Sequence, residues 1–310
     1  MTSSNTAVTT LPATAIDIGT LVRKASAQEV LITAWTRLCE TTQQITVHWP
    51  RDHAFYAEGH RYSPLLLTES LRQALALLTH EVHEVPLGHR LGWEQLRFRV
   101  DPAALTIDRG PGSESVTLLV SHPSVRRRRM GSFHLTSHIE AFRLGERIGH
   151  AEVQYSAHPP LLYDRLRGPY ANAAEAFSKA LPPAPPVAAH LVGRGDGQDV
   201  VLSPTGTPLT WQLRTDTGHP VLFDHPHDHV PGMVLLEAAV QAAQAALPEP
   251  VDATACDTEF FRYVEFDRPC LVTAEPGVAD GTGRRQVLVH ASQDGIPTVT
   301  TAVTTTPRSA

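Results

Sequence analysis

Cysteine is scarce. Cys39, Cys256 and Cys270 are the only three in 310 residues. Their odd number and wide scatter exclude a disulfide framework and a cysteine-based metal spacing, and point to a reducing cytoplasm. Basic charge is not in excess either. The 26 lysines and arginines face 32 acidic residues, and the formal net charge of −6 speaks against a general nucleic-acid binder. No apolar run reaches the roughly 20 residues a membrane helix needs. The best candidate, Leu65 to Leu78, is broken by Glu69 and Arg72. The first residues form a polar lead-in without a basic stretch or an apolar one, so no secretory leader is read. Gly-x-Gly-x-x-Gly, P-loop and Gly-x-Ser-x-Gly elements are all missing, which leaves nucleotide binding and serine-hydrolase chemistry unsupported.

What is present is ordinary globular composition, 42% hydrophobic and 19% charged, enough for a sizeable core. At roughly 150 residues per domain, the length suggests two units. Pro182, Pro183, Pro185 and Pro186 mark a stiff, extended linker, read over 182–190. It separates a longer part, 1–181 with a loose lead-in, from a shorter one, 191–310. The stretch Gly193 to Asp199 is turn-rich.

The two parts read as diverged copies of one unit. PLLLTESLRQALALLTH from Pro64 matches GMVLLEAAVQAAQAAL from Gly232, setting Glu69 against Glu237 and Gln73 against Gln241. Histidine-bearing pieces precede each, ITVHWPRDHAFY and HPVLFDHPHDHV, and WEQLRFRV from Trp93 falls opposite FFRYVEFDRP from Phe260. Each helix is apolar nearly all round, so each should be buried. Strand candidates are 115–121, 131–142, 147–155, 284–291 and 298–304. One buried helix wrapped by an antiparallel sheet is an α+β arrangement, the hotdog. Two copies give a double hotdog whose sheets join edge to edge.

The segment His219 to Ala243 carries the chemistry. Pro231 and Gly232 stand where a helix starts, and Asp228 is placed to cap it. The free amides of that first turn favour negative charge. Glu237 shares a face with Met233 and Gln241 by four-residue spacing. A carboxylate on an apolar helix is costly unless paired or functional. An oxyanion site beside a general base, Glu237, is therefore predicted. Glu69 and Arg72, three apart, read equally as a structural ion pair or as a second site. His225, His227 and His229 alternate, but Pro226 and Pro231 should scatter their rings, so no metal site is predicted. Arg126 to Arg129 reads as a solvated strand end or as a docking patch for an acidic carrier protein.

The string DHVPGMVLLEAA followed by Gln241 resembles the second-repeat signature of the A-factor synthase family of γ-butyrolactone autoregulator biosynthesis. Pro64 through Gln73, the Tyr163–Gly168 segment, and Phe261–Arg262–Tyr263 through Phe266 to Cys270 fit the same family, so the resemblance spans most of the chain. It implies a double-hotdog acyltransferase. Such an enzyme moves a β-ketoacyl chain from acyl carrier protein to the hydroxyl of dihydroxyacetone phosphate, without a cofactor or metal. Glu237 and Glu69 are then the candidate catalytic residues. Arg72, Gln241, His229, Asp228, Gly232, Met233 and Arg262 are the candidate substrate contacts. The family's arginine three residues after the second glutamate is Val240 here, and a guanidinium binds phosphate where valine cannot. Arg262, then Arg72, are the expected replacements. A non-catalytic acyl-binding or regulatory protein, or a dehydratase- or thioesterase-like enzyme of the same fold, are the alternatives.

Overall fold

The computed structural model describes residues 17–308; most of the expected polar lead-in and the last two residues of the tail lie outside them. The first half runs α1 (Ile18–Val22), β1 (Ile32–Arg37), β2 (Thr42–His48), a small hairpin of β3 (Ala57–Glu58) and β4 (Arg61–Tyr62), then α2 (Leu65–Glu81), β5 (Arg90–Val100), β6 (Ser115–Arg127), β7 (Phe133–Arg143) and β8 (Glu146–His158). Two short helices follow, α3 (Pro160–Arg167) and α4 (Ala173–Ser178). The second half runs β9 (Leu202–Pro204), β10 (Thr210–Leu213), α5 (Gly232–Ala245), β11 (Val251–Phe260), β12 (Cys270–Pro276), β13 (Arg285–Gln293) and β14 (Ile296–Pro307).

Twelve of the strands form one antiparallel sheet in the order β1-β2-β6-β7-β8-β5-β11-β14-β13-β12-β10-β9. Read inward from either edge, the order is the same: two strands before the helix, then the last three, then the strand that follows the helix. The chain is a double hotdog. Its halves join where β5 pairs with β11, with Arg97 opposite Asp257 and their side chains 3.0 Å apart.

Alternation explains the strands. Val116, Leu118 and Val120 of β6 turn inward against α2, and Val287 and Val289 of β13 turn inward in the other half. The helices α2 and α5 are buried nearly all round, as their composition demands, and they touch each other beneath the join. No helix among the described residues is long and apolar enough to cross a membrane.

One pairing drawn from the repeat does not hold strand for strand. The counterpart of β5 is β11, so Trp93 lies within its strand while Phe260 ends one; residues 261–269 form the loop to β12. The aromatic similarity of the two segments hid a difference in where each strand stops.

Candidate active site

Two constellations, one per repeat, are built on the same plan. In the first, Gln73 on α2 accepts from the Leu31 amide at 2.8 Å and donates to the Glu29 carbonyl at 2.7 Å and to Glu69 Oε1 at 2.8 Å. In the second, Gln241 on α5 accepts from the Val201 amide at 2.9 Å and donates to the Asp199 carbonyl at 2.8 Å and to Glu237 Oε1 at 2.6 Å. Each glutamine thereby ties its helix to the residue before an edge strand and aims the glutamate one turn away. His53 Nδ1 accepts the Phe55 and Tyr56 amides, and His219 Nδ1 accepts those of Val221 and Leu222.

The two glutamates differ in their remaining partners. Glu69 receives Arg72 through both oxygens, Nε to Oε2 at 2.9 Å and Nη2 to Oε1 at 2.7 Å, with Lys24 Nζ at 3.3 Å. Burial alone would raise its pKa, but the charges of Arg72 and Lys24 and the hydrogen bonds from Arg72 and Gln73 bring it down to about 2. Both oxygens hold a donor from Arg72, which favours the ion-pair reading of Glu69 and Arg72.

Glu237 is only 1% exposed. Its Oε1 takes Arg194 Nε at 2.9 Å and Nη2 at 2.7 Å, together with Gln241. Its Oε2 is buried and receives no donor among the described residues. Arg194 also donates to the Phe55 carbonyl of the other half at 2.7 Å and lies 4.1 Å from the Phe55 ring centroid. The cation that meets Glu237 is Arg194, on the loop before β9. Of the expected replacements, Arg72 pairs with Glu69, and Arg262 is exposed, with no side-chain hydrogen bond among the described residues. Arg194 was legible only through the repeat, because it precedes Asp199 by five residues as Lys24 precedes Glu29.

Asp228 does not cap α5; Pro231 holds the cap position, and no side chain caps it. Asp228 instead accepts from Tyr163 at 2.6 Å and Arg167 at 2.9 Å through Oδ2, and its Oδ1 lies 3.0 Å from His229 Nδ1. Burial raises its pKa, but the hydrogen bond and charge of His229, with Tyr163 and Arg167, outweigh it and hold Asp228 well below the usual carboxylate range. The His229 ring rests 4.6 Å from that of Tyr263, beside the start of α5. At that start the packing is close: a Cβ on Gly232 would come 3.2 Å from the Trp93 ring, which would have to give way slightly.

His225 and His227 are not scattered. Their rings lie 4.2 Å apart next to Asp224, and the three offer ligand atoms within 4.8 Å of one another. The proline between them leaves both on one side of the loop, while His229 turns away to Asp228. Burial, with the charges of His225 and His229, pulls the His227 pKa down to about 3. Met233 and Leu236 are buried in the core. A surface cavity of about 420 Å³ lies on the outer face of the first half, lined by Gln44, Thr117, Leu119 and Phe142 among others.

A double hotdog with a buried, half-partnered glutamate on its second helix defines a class, the two-repeat proteins of this fold with a carboxylate site at the helix junction. The chain matches the A-factor biosynthesis hotdog domain over residues 6–159 and 176–309, and it belongs to that family. It is 39% identical over 276 residues to the 2-oxo-3-(phosphooxy)propyl 3-oxoalkanoate synthase of Streptomyces virginiae, covering 88% of this chain and 92% of the relative. It is 35% identical over 284 residues to the synthase of the same name from Streptomyces coelicolor, covering 89% and 87%. Among solved structures, the 12:0-ACP thioesterase from Umbellularia californica superposes with a TM-score of 0.52 at 10% identity, over 86% of this chain and 94% of that one. At that identity the likeness is one of fold.

Proposed function

We propose that the chain is an acyltransferase that joins a β-ketoacyl group, delivered as a carrier-protein thioester, to the hydroxyl of dihydroxyacetone phosphate. The relatives' shared name describes the ester of these two parts. The observation that carries the residue assignment is the single unpartnered oxygen of Glu237. Oε1 is pinned by Arg194 and Gln241, so Oε2 is free to take the proton of the acceptor hydroxyl. The alkoxide oxygen then bonds to the thioester carbonyl carbon, the C–S bond breaks, and the thiol leaves with the proton from Glu237. Between these steps the tetrahedral oxyanion meets the Gly232 and Met233 amides at the start of α5.

Five residues separate Gly232 from Glu237, about 7.5 Å of helix rise. Side chains lean toward the helix N-terminus, which brings the carboxylate back toward the amides. His229 has Nδ1 engaged by Asp228 and stands three residues before α5, where its Nε2 would suit the acceptor phosphate. Met233 is the flexible residue that moves aside to admit the acyl chain. Gln241 positions the base. Arg72 belongs to the scaffold of the first repeat.

The test supplies a β-ketoacyl thioester and dihydroxyacetone phosphate and follows the phosphorylated ester by mass spectrometry. Glu237→Gln should lower turnover by roughly 10²- to 10⁴-fold, the usual contribution of a general base. A variant that turns over near the wild-type rate, with thiol release unchanged, would move Glu237 to the scaffold.

A further inference from the structure

The hairpin between β6 and β7 carries Arg126, Arg127, Arg128 and Arg129, all exposed in a chain whose net charge is −6. Among the described residues none of the four forms an ion pair with a carboxylate. The tip is built rather than frayed. Met130 adopts a left-handed conformation (φ 67°), and the Arg128 amide donates to the Ser132 carbonyl at 2.7 Å. Holding four like charges together on a rigid turn costs free energy, and among the described residues no carboxylate offsets it; Arg127 alone lies over a ring, 5.8 Å from the Phe133 centroid.

The tip connects to the candidate site through α3. Gly131 packs against Pro159, so that a Cβ there would meet the proline ring at 3.3 Å, and Pro159 leads into α3. The inner face of α3 supplies Tyr163 and Arg167, which hold Asp228 and so set His229 at the start of α5. The outer face of α3 carries Arg165, exposed, and Leu161, which is 87% exposed. Met130 at the tip is 70% exposed. The result is a cationic surface with protruding apolar side chains, Met130, Leu161 and, at 62% exposure, Leu166, and with Asp164 as the one acidic residue of α3.

We infer that Arg127–Met130 and the outer face of α3 form the surface on which the acyl carrier protein docks, through an acidic partner face that leaves room for Met130 and Leu161. This rests on the transferase reading above and names the partner of that same site. Charge complementarity is the argument. Unpaired arginines steer an acidic partner and speed its capture, while exposed apolar groups beside them add contact area. The position is suitable because α3 connects this surface directly to the helix start where the thioester is to be bound.

The experiment uses the full chain and a carrier protein loaded with a non-hydrolysable β-ketoacyl chain. Binding is read by fluorescence anisotropy at low and high salt. In parallel, turnover is measured with carrier-bound donor and with a small N-acetylcysteamine thioester. The variant reverses three charges, Arg127→Glu, Arg128→Glu and Arg129→Glu; a second variant is Leu161→Asp. Each should weaken carrier binding by roughly tenfold or more and remove much of its salt dependence, with turnover of the small thioester unchanged. Carrier affinity that is unaffected by both variants, or an equal loss with the small thioester, would overturn the docking surface. A wild type that binds carrier through these arginines yet transfers nothing would instead sink the transferase reading and keep the surface. Self-association of the chain that is lost in the same variants, with carrier binding intact, would assign the patch to a second copy and overturn the proposal.

Discussion

Glu69 and Glu237 occupy matching points of two helices, and their unequal partners decide their roles. Where α2 places Arg72 three residues after its glutamate, α5 places Val240, and the guanidinium arrives from the loop as Arg194. Removing Arg194 leaves a carboxylate that is 1% exposed without its counter-ion. Such a change typically costs about 3–5 kcal/mol. Arg194→Ala should therefore lower the urea midpoint sharply. Val240→Arg restores a guanidinium at the position Arg72 occupies in the other repeat, and in the Arg194→Ala background it should recover a substantial part of that loss. The check is a double-mutant cycle of urea unfolding. Strictly additive effects would show that position 240 does not reach Glu237.

The helices are held at their places by the two glutamines, each with three hydrogen bonds. Gln241→Leu keeps the volume but orphans the Val201 amide and the Asp199 carbonyl. Each buried group left without a partner costs about 1–3 kcal/mol. Hydrogen exchange at Val201 and along β9 should accelerate well before the rest of the sheet opens. Equal acceleration everywhere would mean that β9 has no local stability of its own. These elements were legible in the sequence, because proline punctuation and an almost wholly apolar composition mark buried helices, and the Glu-x-x-x-Gln spacing repeats. Arg194 was legible only through its repeat match to Lys24, not from the residues around it. Its reach is set by the way Gln241 draws residues 199–201 against α5, a tertiary effect that turn-rich local sequence conceals. Asp228 misled for a related reason: a good capping residue four positions before a helix is also free to pair with Arg167, whose guanidinium lies far away in sequence.

The stability of the whole molecule should respond to acid in two stages. His122 and His227 are pushed down to about 3 from 6.5, foremost by burial, so each stays neutral in the folded state. A depressed folded pKa gives stability that is complete above 6.5 and is lost as pH falls below it. Between pH 6.5 and 5 each such histidine should cost the fold at most about 2 kcal/mol. Glu69 follows the same sign at lower pH. Its contribution is complete above 4.5 and disappears as pH falls toward 2. Chemical denaturation at a series of pH values should show the first decline near pH 6.5, and His122→Gln should make it shallower. A stability that stays flat down to pH 5 would mean these histidines take up protons in place.

The join of β5 to β11 has a further consequence. Were the two halves separate identical chains, every substitution would appear twice, and a change that improved one glutamate site would be imposed on the other. Because a single peptide chain carries both halves, each position varies alone. One half can keep a saturated ion pair that secures the scaffold while the other leaves a carboxylate oxygen bare. The fused sheet thus releases the molecule from its own symmetry, and valine at 240 opposite arginine at 72 is a trace of that release.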